Sequence, residues 1–188
     1  MNIILSWDLF VVVFFVVILA YSFIIGRDNT LKVILGTYIS MIASDALGNL
    51  VQEYFTGSPI FIKFLEYAMV GNAREAVIFL KVLLFVILVI LFAVKGAFYV
   101  ETVDDRSAIE RLGLSVFYAI LSAGLIISTI LVYISGTSFI GGDAGANLAL
   151  WNLYNQSNMI RLIVQYSHLW FSIPALAFLA HSLYSHRE

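Results

Sequence analysis

The stretch Leu112–Gly142, LGLSVFYAILSAGLIISTILVYISGTSFIGG, contains no Asp, Glu, Lys, Arg or His. The stretch Leu9–Gly26, LFVVVFFVVILAYSFIIG, is equally free of charge. A helix needs roughly 20 apolar residues to cross the hydrocarbon core of a bilayer, and both runs suffice. Working outward from them, two more long apolar segments and one shorter one complete an all-α, polytopic membrane helix bundle of four to five spans. The expected spans are about 9–26, 31–54, 74–94, 109–135 and 167–184, and they form one transmembrane domain over 1–188. The composition agrees, with 62% hydrophobic residues, 12% charged residues and a mean hydropathy of +0.98. A soluble domain is about half apolar and a quarter charged. The surplus apolar surface therefore needs the lipid bilayer to cover it.

The same composition excludes several functions. A formal net charge of −2 offers no basic face for nucleic acid. With no cysteine there is no disulfide, thiolate metal site or cysteine nucleophile. The first apolar run lacks a basic leader, carries Asp8, and ends in Gly26-Arg27-Asp28 rather than a small-residue cleavage site, so it reads as a permanent span.

The connections carry their own signals. Arg27-Asp28-Asn29-Thr30 reads as a polar turn closing the first span. Thr56-Gly57-Ser58-Pro59 reads as a loop that starts a helix, because proline suits the first helical position. That helix, about 59–70, is amphipathic and too short to cross, and is expected in the interface. Asn72 with Glu75, and Ser107 with Glu110, read as capping boxes. A glycine-rich loop from Gly136 to Ala146 leads to a second expected interfacial helix, about 146–165. Trp151, Trp170 and the tyrosines fit an aromatic belt.

Lys and Arg set the orientation, since cytoplasmic loops are enriched in them. With the N-terminus outside, Arg27, Lys32, Lys95, Arg106, Arg111 and Arg187 fall inside. Lys63, Arg74, Lys81 and Arg161 then fall outside or on embedded helices.

The second span is the most polar. Gly36, Ser40, Ser44 and Gly48 recur every four residues, and such a small-residue stripe lets another backbone approach closely. The stripe is read as helix packing within one subunit, as a subunit interface, or, with Asn49, as the lining of a pore. Asp45 is the residue to single out. A carboxylate in a membrane helix costs a few kcal/mol and faces protein or water. Lys81, at similar depth, is its expected partner. The pair is read as structural, or as part of an ion or proton pathway. Arg161 is a candidate for lipid headgroups or water. His168, His181 and His186 do not have metal-ligand spacing, and no metal or other cofactor is expected. A nucleophile elbow, a zinc-protease motif, a P-loop and a dinucleotide fingerprint are all missing from the sequence, so no enzymatic activity is expected.

One layout is familiar. Trp7-Asp8 opens a span that ends in Gly26-Arg27, a second helix follows at once, and Glu110-Arg111-Leu112-Gly113 leads into a later span rich in glycine and alanine. Asn155-Gln156-Ser157 with an amphipathic helix comes next. This resembles the colicin V production protein family of small bacterial inner-membrane proteins, although Asn29-Thr30 stands where that family has a second glycine. The resemblance implies an accessory role in export or envelope homeostasis in the bacterial inner membrane and supplies no catalytic residues. A homo-oligomer or larger membrane complex is expected as the working form. A small oligomeric ion channel lined by Ser40, Ser44, Asp45 and Asn49 is the alternative.

Overall fold

The computed structural model describes residues 7–68, 73–96, 108–140, 155 and 157–185. All regular structure in them is helical: α1 (Trp7–Ile25), α2 (Arg27–Tyr54), α3 (Pro59–Ala68), α4 (Ala73–Lys95), α5 (Ala108–Ile134), α6 (Asn158–Gln165) and α7 (Ser167–Ser185). Four of these helices, α1, α2, α4 and α5, are long and apolar enough to cross a membrane. A fifth crossing follows if α6 and α7, bent by 57° where they join, form one broken span.

Helices α2 and α5 make the centre. α2 packs chiefly on α4 and on α5, α5 also carries α1 and α7, and α5 is mostly buried. α1 and α4 turn most of their surface outward. Val16, Val17 and Ile24 on α1 and Ile90, Leu91 and Val94 on α4 are exposed, an apolar rim that suits lipid contact. Inside, Leu31 and Ile34 of α2 pack with Tyr118, Leu121 and Leu125 of α5, and Phe171 and Phe178 of α7 lie against that cluster.

The α1–α2 junction differs from the expected polar turn. Arg27-Asp28-Asn29-Thr30 is the first turn of α2, because Gly26 alone makes the break, at φ 82°. That left-handed conformation strains any residue with a Cβ. The side chains that looked like a turn satisfy carbonyls instead. Thr30 Oγ1 donates to Gly26 O at 2.9 Å and Asn29 Nδ2 to Ile25 O at 2.8 Å. Asp28 sits where the helix dipole favours a negative charge.

Ser58 starts α3 as expected, its Oγ accepting from the Phe61 amide at 3.2 Å. Residues 69 and 70 of the expected helix, the Asn72 cap and the Ser107 cap lie outside the described residues. Phe61 is buried against Ala76 and Val77 of α4, which holds α3 to the end of the bundle where α2 finishes and α4 begins.

The expected helix 146–165 is corrected at its start. Ser157 is extended (φ −133°, ψ 120°) and caps a new helix, accepting from the Ile160 amide, so the chain is broken there. Residues 146–154 lie outside the described residues. And α6 is anchored in the bundle, with Ile160 and Ile163 buried beside Val11 of α1 and Ile127 and Leu131 of α5.

The junction yields a contrast of two glycines. Nothing would touch a Cβ at Gly26 or at Gly113, but only Gly26 has positive φ. Gly26→Ala should lower stability by about 1–2 kcal/mol, whereas Gly113→Ala, within α5, should be neutral or gain about 0.5–1 kcal/mol. Thermal denaturation in mild detergent measures both. Equal effects would contradict the junction geometry.

Candidate functional site: a buried ion pair at the floor of a polar cavity

Asp45 lies in the third quarter of α2 and is completely buried, and Lys81 of α4 is 5% exposed. The structure brings them together, with Lys81 Nζ 2.6 Å from Asp45 Oδ1. The ammonium also donates to Asn49 Oδ1 at 2.7 Å. Asp45 and Asn49 are one helical turn apart, so one lysine reaches both from the neighbouring helix. The other carboxylate oxygen accepts from Ser138 Oγ at 2.7 Å and from the Ile140 amide at 2.9 Å. Asn49 Nδ2 closes the circuit by donating to Ser138 Oγ at 3.0 Å. An isolated charge at this depth would be expelled or neutralised, and pairing with additional hydrogen bonds is what makes burial tolerable.

Gly48 permits this arrangement. A Cβ there would fall 2.3 Å from Lys81 Cγ and 2.7 Å from its Cε, so the lysine stem lies directly across the bare backbone of α2. At the other end of the stripe, a Cβ on Gly36 would meet Phe92 Cβ at 2.6 Å. Ser44 shares a 2.7 Å hydrogen bond with the Tyr133 hydroxyl of α5, which donates to Met41 O at 2.6 Å. Ser40 is buried, and its hydroxyl has no partner among the described residues. Gly36, Ser40, Ser44 and Gly48 are all buried within α2, and glycines 36 and 48 and Ser44 receive side chains of α4 and α5. The stripe is thus occupied by intramolecular packing. A pore along it would require α2 to part from α4 and α5.

Above the ion pair is a cavity of about 1020 Å³. Asn49 and Glu53 of α2, Arg74 and Lys81 of α4, and Thr137 and Ser138 after α5 are among its lining residues. Tyr133 also lines it and belongs to a chain of edge-to-face aromatic contacts. Phe85 and Tyr133 contact edge to face with centroids 6.0 Å apart, Tyr133 and Phe139 at 5.6 Å, and Phe139 and Phe171 at 5.4 Å.

Arg161 is exposed on α6 and is not among the cavity's lining residues. His168 is exposed on α7, and His186 lies outside the described residues. Among the described residues no group of His, Asp and Glu could hold a metal ion.

Sequence reasoning missed Tyr133, Ser138 and Ile140 as members of this network. It also missed a second carboxylate clasp. Asp8 Oδ1 accepts from Ser157 Oγ at 2.5 Å and from the Met159 amide at 3.0 Å, tying the start of α1 to the start of α6. Ser138 with Ile140 and Ser157 with Met159 share one pattern, a serine and the amide two residues on, but serine is too common for that to have been a signal. Comparison of the chain with protein-family models, with curated proteins and with solved structures finds no match.

The ion pair predicts non-additive mutations. Asp45→Ala leaves Lys81 buried without its counter-charge and should cost about 3–5 kcal/mol. Asp45→Ala with Lys81→Ala removes both charges and should cost distinctly less than the single change. Unfolding of the three proteins in mixed micelles gives the coupling, and losses that simply add would refute the pairing.

Proposed function

We propose that this chain is a non-catalytic accessory protein of the bacterial inner membrane that serves export or envelope homeostasis by binding through its polar cavity, as a homo-oligomer or within a larger membrane complex. The observation that carries this reading is the way the cavity is lined. Lys81, which lines it, is charge-paired with Asp45, whose two carboxylate oxygens are both hydrogen-bonded, and Tyr133, also in the lining, leads into the Phe85–Tyr133–Phe139–Phe171 chain of aromatic contacts. A recess bounded in this way suits a bound ligand, and passage between Lys81 and Asp45 would require breaking a buried ion pair. With the N-terminus outside, as the basic residues favour, the cavity opens to the outer compartment. The cellular role follows the resemblance of Trp7-Asp8, Gly26-Arg27 and Glu110–Gly113 to colicin V production proteins. The small-residue stripe of α2 is used within the chain, so contacts between copies fall to the exposed faces of α1, α4 and α7.

A second reading, the small oligomeric channel, draws on one feature. The cavity is lined by Lys81, and an ionisable group within a membrane helix is often on an ion path.

Ion flux separates the two. Purified protein in proteoliposomes, tensed and relaxed, should pass no current above empty vesicles, and Asp45→Asn should leave that silence unchanged. Reproducible conductance whose selectivity shifts with Asp45→Asn would replace the binding reading with the channel.

A further inference from the structure

The chemistry of the cavity wall selects a class of ligand, an inference that rests on the binding reading above. A lysine ammonium has three N–H donors. Asp45 and Asn49 take two of them, and the third has no partner among the described residues, although Lys81 lines the cavity. Arg74, two helical turns earlier on the same face of α4, also lines it, as does Glu53 on the α2 side. Both are exposed. Neither has a hydrogen-bond or ion-pair partner among the described residues, and they are not paired with each other.

Among the described residues the charges of this wall sum to zero once Asp45 is set against Lys81, but they are separated, with donors on α4 and an acceptor on α2. A lone anion would gain Arg74 and the free Lys81 donor yet face Glu53. A lone cation would gain Glu53 yet face Arg74. A ligand with both charges satisfies both walls, and desolvated charges left unmatched are what complementary sites avoid. The volume, about 1020 Å³, is at the upper end of small-molecule sites and leaves room for bridging water. We infer that the cavity binds a zwitterion in which a primary ammonium and a phosphate or carboxylate are joined by a short linker. The anionic oxygens lie against Lys81 and Arg74 and the ammonium against Glu53. A free aminophosphate solute and the phosphoethanolamine headgroup of a lipid both carry this chemistry.

The absence of native cysteine allows a direct test. Thr137→Cys and, on α2, Gln52→Cys, both in the cavity lining, are placed singly in the full chain, in nanodiscs of phosphatidylglycerol, and labelled with a membrane-impermeant thiol reagent. Lys63→Cys on exposed α3 is the control. O-phosphoethanolamine at about ten times its Kd should slow labelling of the wall cysteines by roughly tenfold, while inorganic phosphate or ethanolamine at the same concentration should have little effect. Glu53→Gln and Arg74→Gln should each abolish protection without changing the unliganded labelling rate, which shows that the cavity is intact. Protection seen only when phosphatidylethanolamine is added to the nanodiscs supports the same site with a lipid as its source. Equal protection by phosphate alone, or none from either source while both wall cysteines react freely, would overturn the inference and leave the cavity. Wall cysteines that never react while Lys63→Cys does would show the cavity closed to water, and the binding reading would fall with it.

Discussion

An ionised carboxylate in the middle of a membrane helix has no water to solvate it, and every group around Asp45 is positioned to replace that water. Lys81 supplies the opposite charge, and Ser138 and the Ile140 amide supply donors to the second oxygen. Those requirements propagate. Lys81 can reach only because Gly48 leaves its stem a path across α2. Asn49 must face the same helix to take a second lysine proton. The backbone after α5 must return over α2 to present Ile140. One buried charge thus fixes the register of α4 against α2 and the trajectory of the chain leaving α5. Hydrogen bonds to an ionised acceptor are about twice as strong as neutral ones, so this is a fastening as well as a compensation.

Asp8 applies the same device elsewhere. It sits in the first turn of α1 and accepts from a serine hydroxyl and from the amide two residues further on, as Asp45 does. Asp45 holds the chain as it leaves α5 and Asp8 holds it as it enters α6. Both ends of the long α5–α6 connection are therefore bound to helices laid down much earlier in the sequence. Ser157 also caps α6, so one hydroxyl links the helix start to the α1 clasp. This explains why α6 packs against α1 and α5.

Hydropathy alone located the four long helices to within a few residues, because the bilayer imposes a length and a composition that local sequence must meet. The partnership of Asp45 with Lys81 was legible for a related reason. A membrane offers so few charges at one depth that a buried carboxylate has almost no choice. The rest depended on contacts between residues 89 to 151 positions apart, which no periodicity encodes. Tyr133 looked like an interfacial aromatic and is a completely buried hydrogen-bond donor. Arg27-Asp28-Asn29-Thr30 has the composition of a turn, yet polar residues with i,i+4 reach to carbonyls serve equally well in a first helical turn. The difference lay in a single glycine taking positive φ.

The polarity of α2 invites the idea of a pore, and the geometry shows why polarity in a membrane helix is an ambiguous sign. Serine and glycine at four-residue spacing serve close packing and water lining alike, and the two uses are distinguished only by what stands opposite. Opposite this stripe stand Phe92, Lys81 and Tyr133, side chains large enough to fill the space that the small residues leave. Past Lys81 the small residues of α2 give way to polar ones that line the cavity, Asn49, Gln52 and Glu53, with Thr56 just beyond the helix end. The same helix is thus a packing element along its first half and a cavity wall along its last two turns. The ion pair marks the boundary, because Asp45 is completely buried in protein while the lysine that pairs with it also lines the cavity.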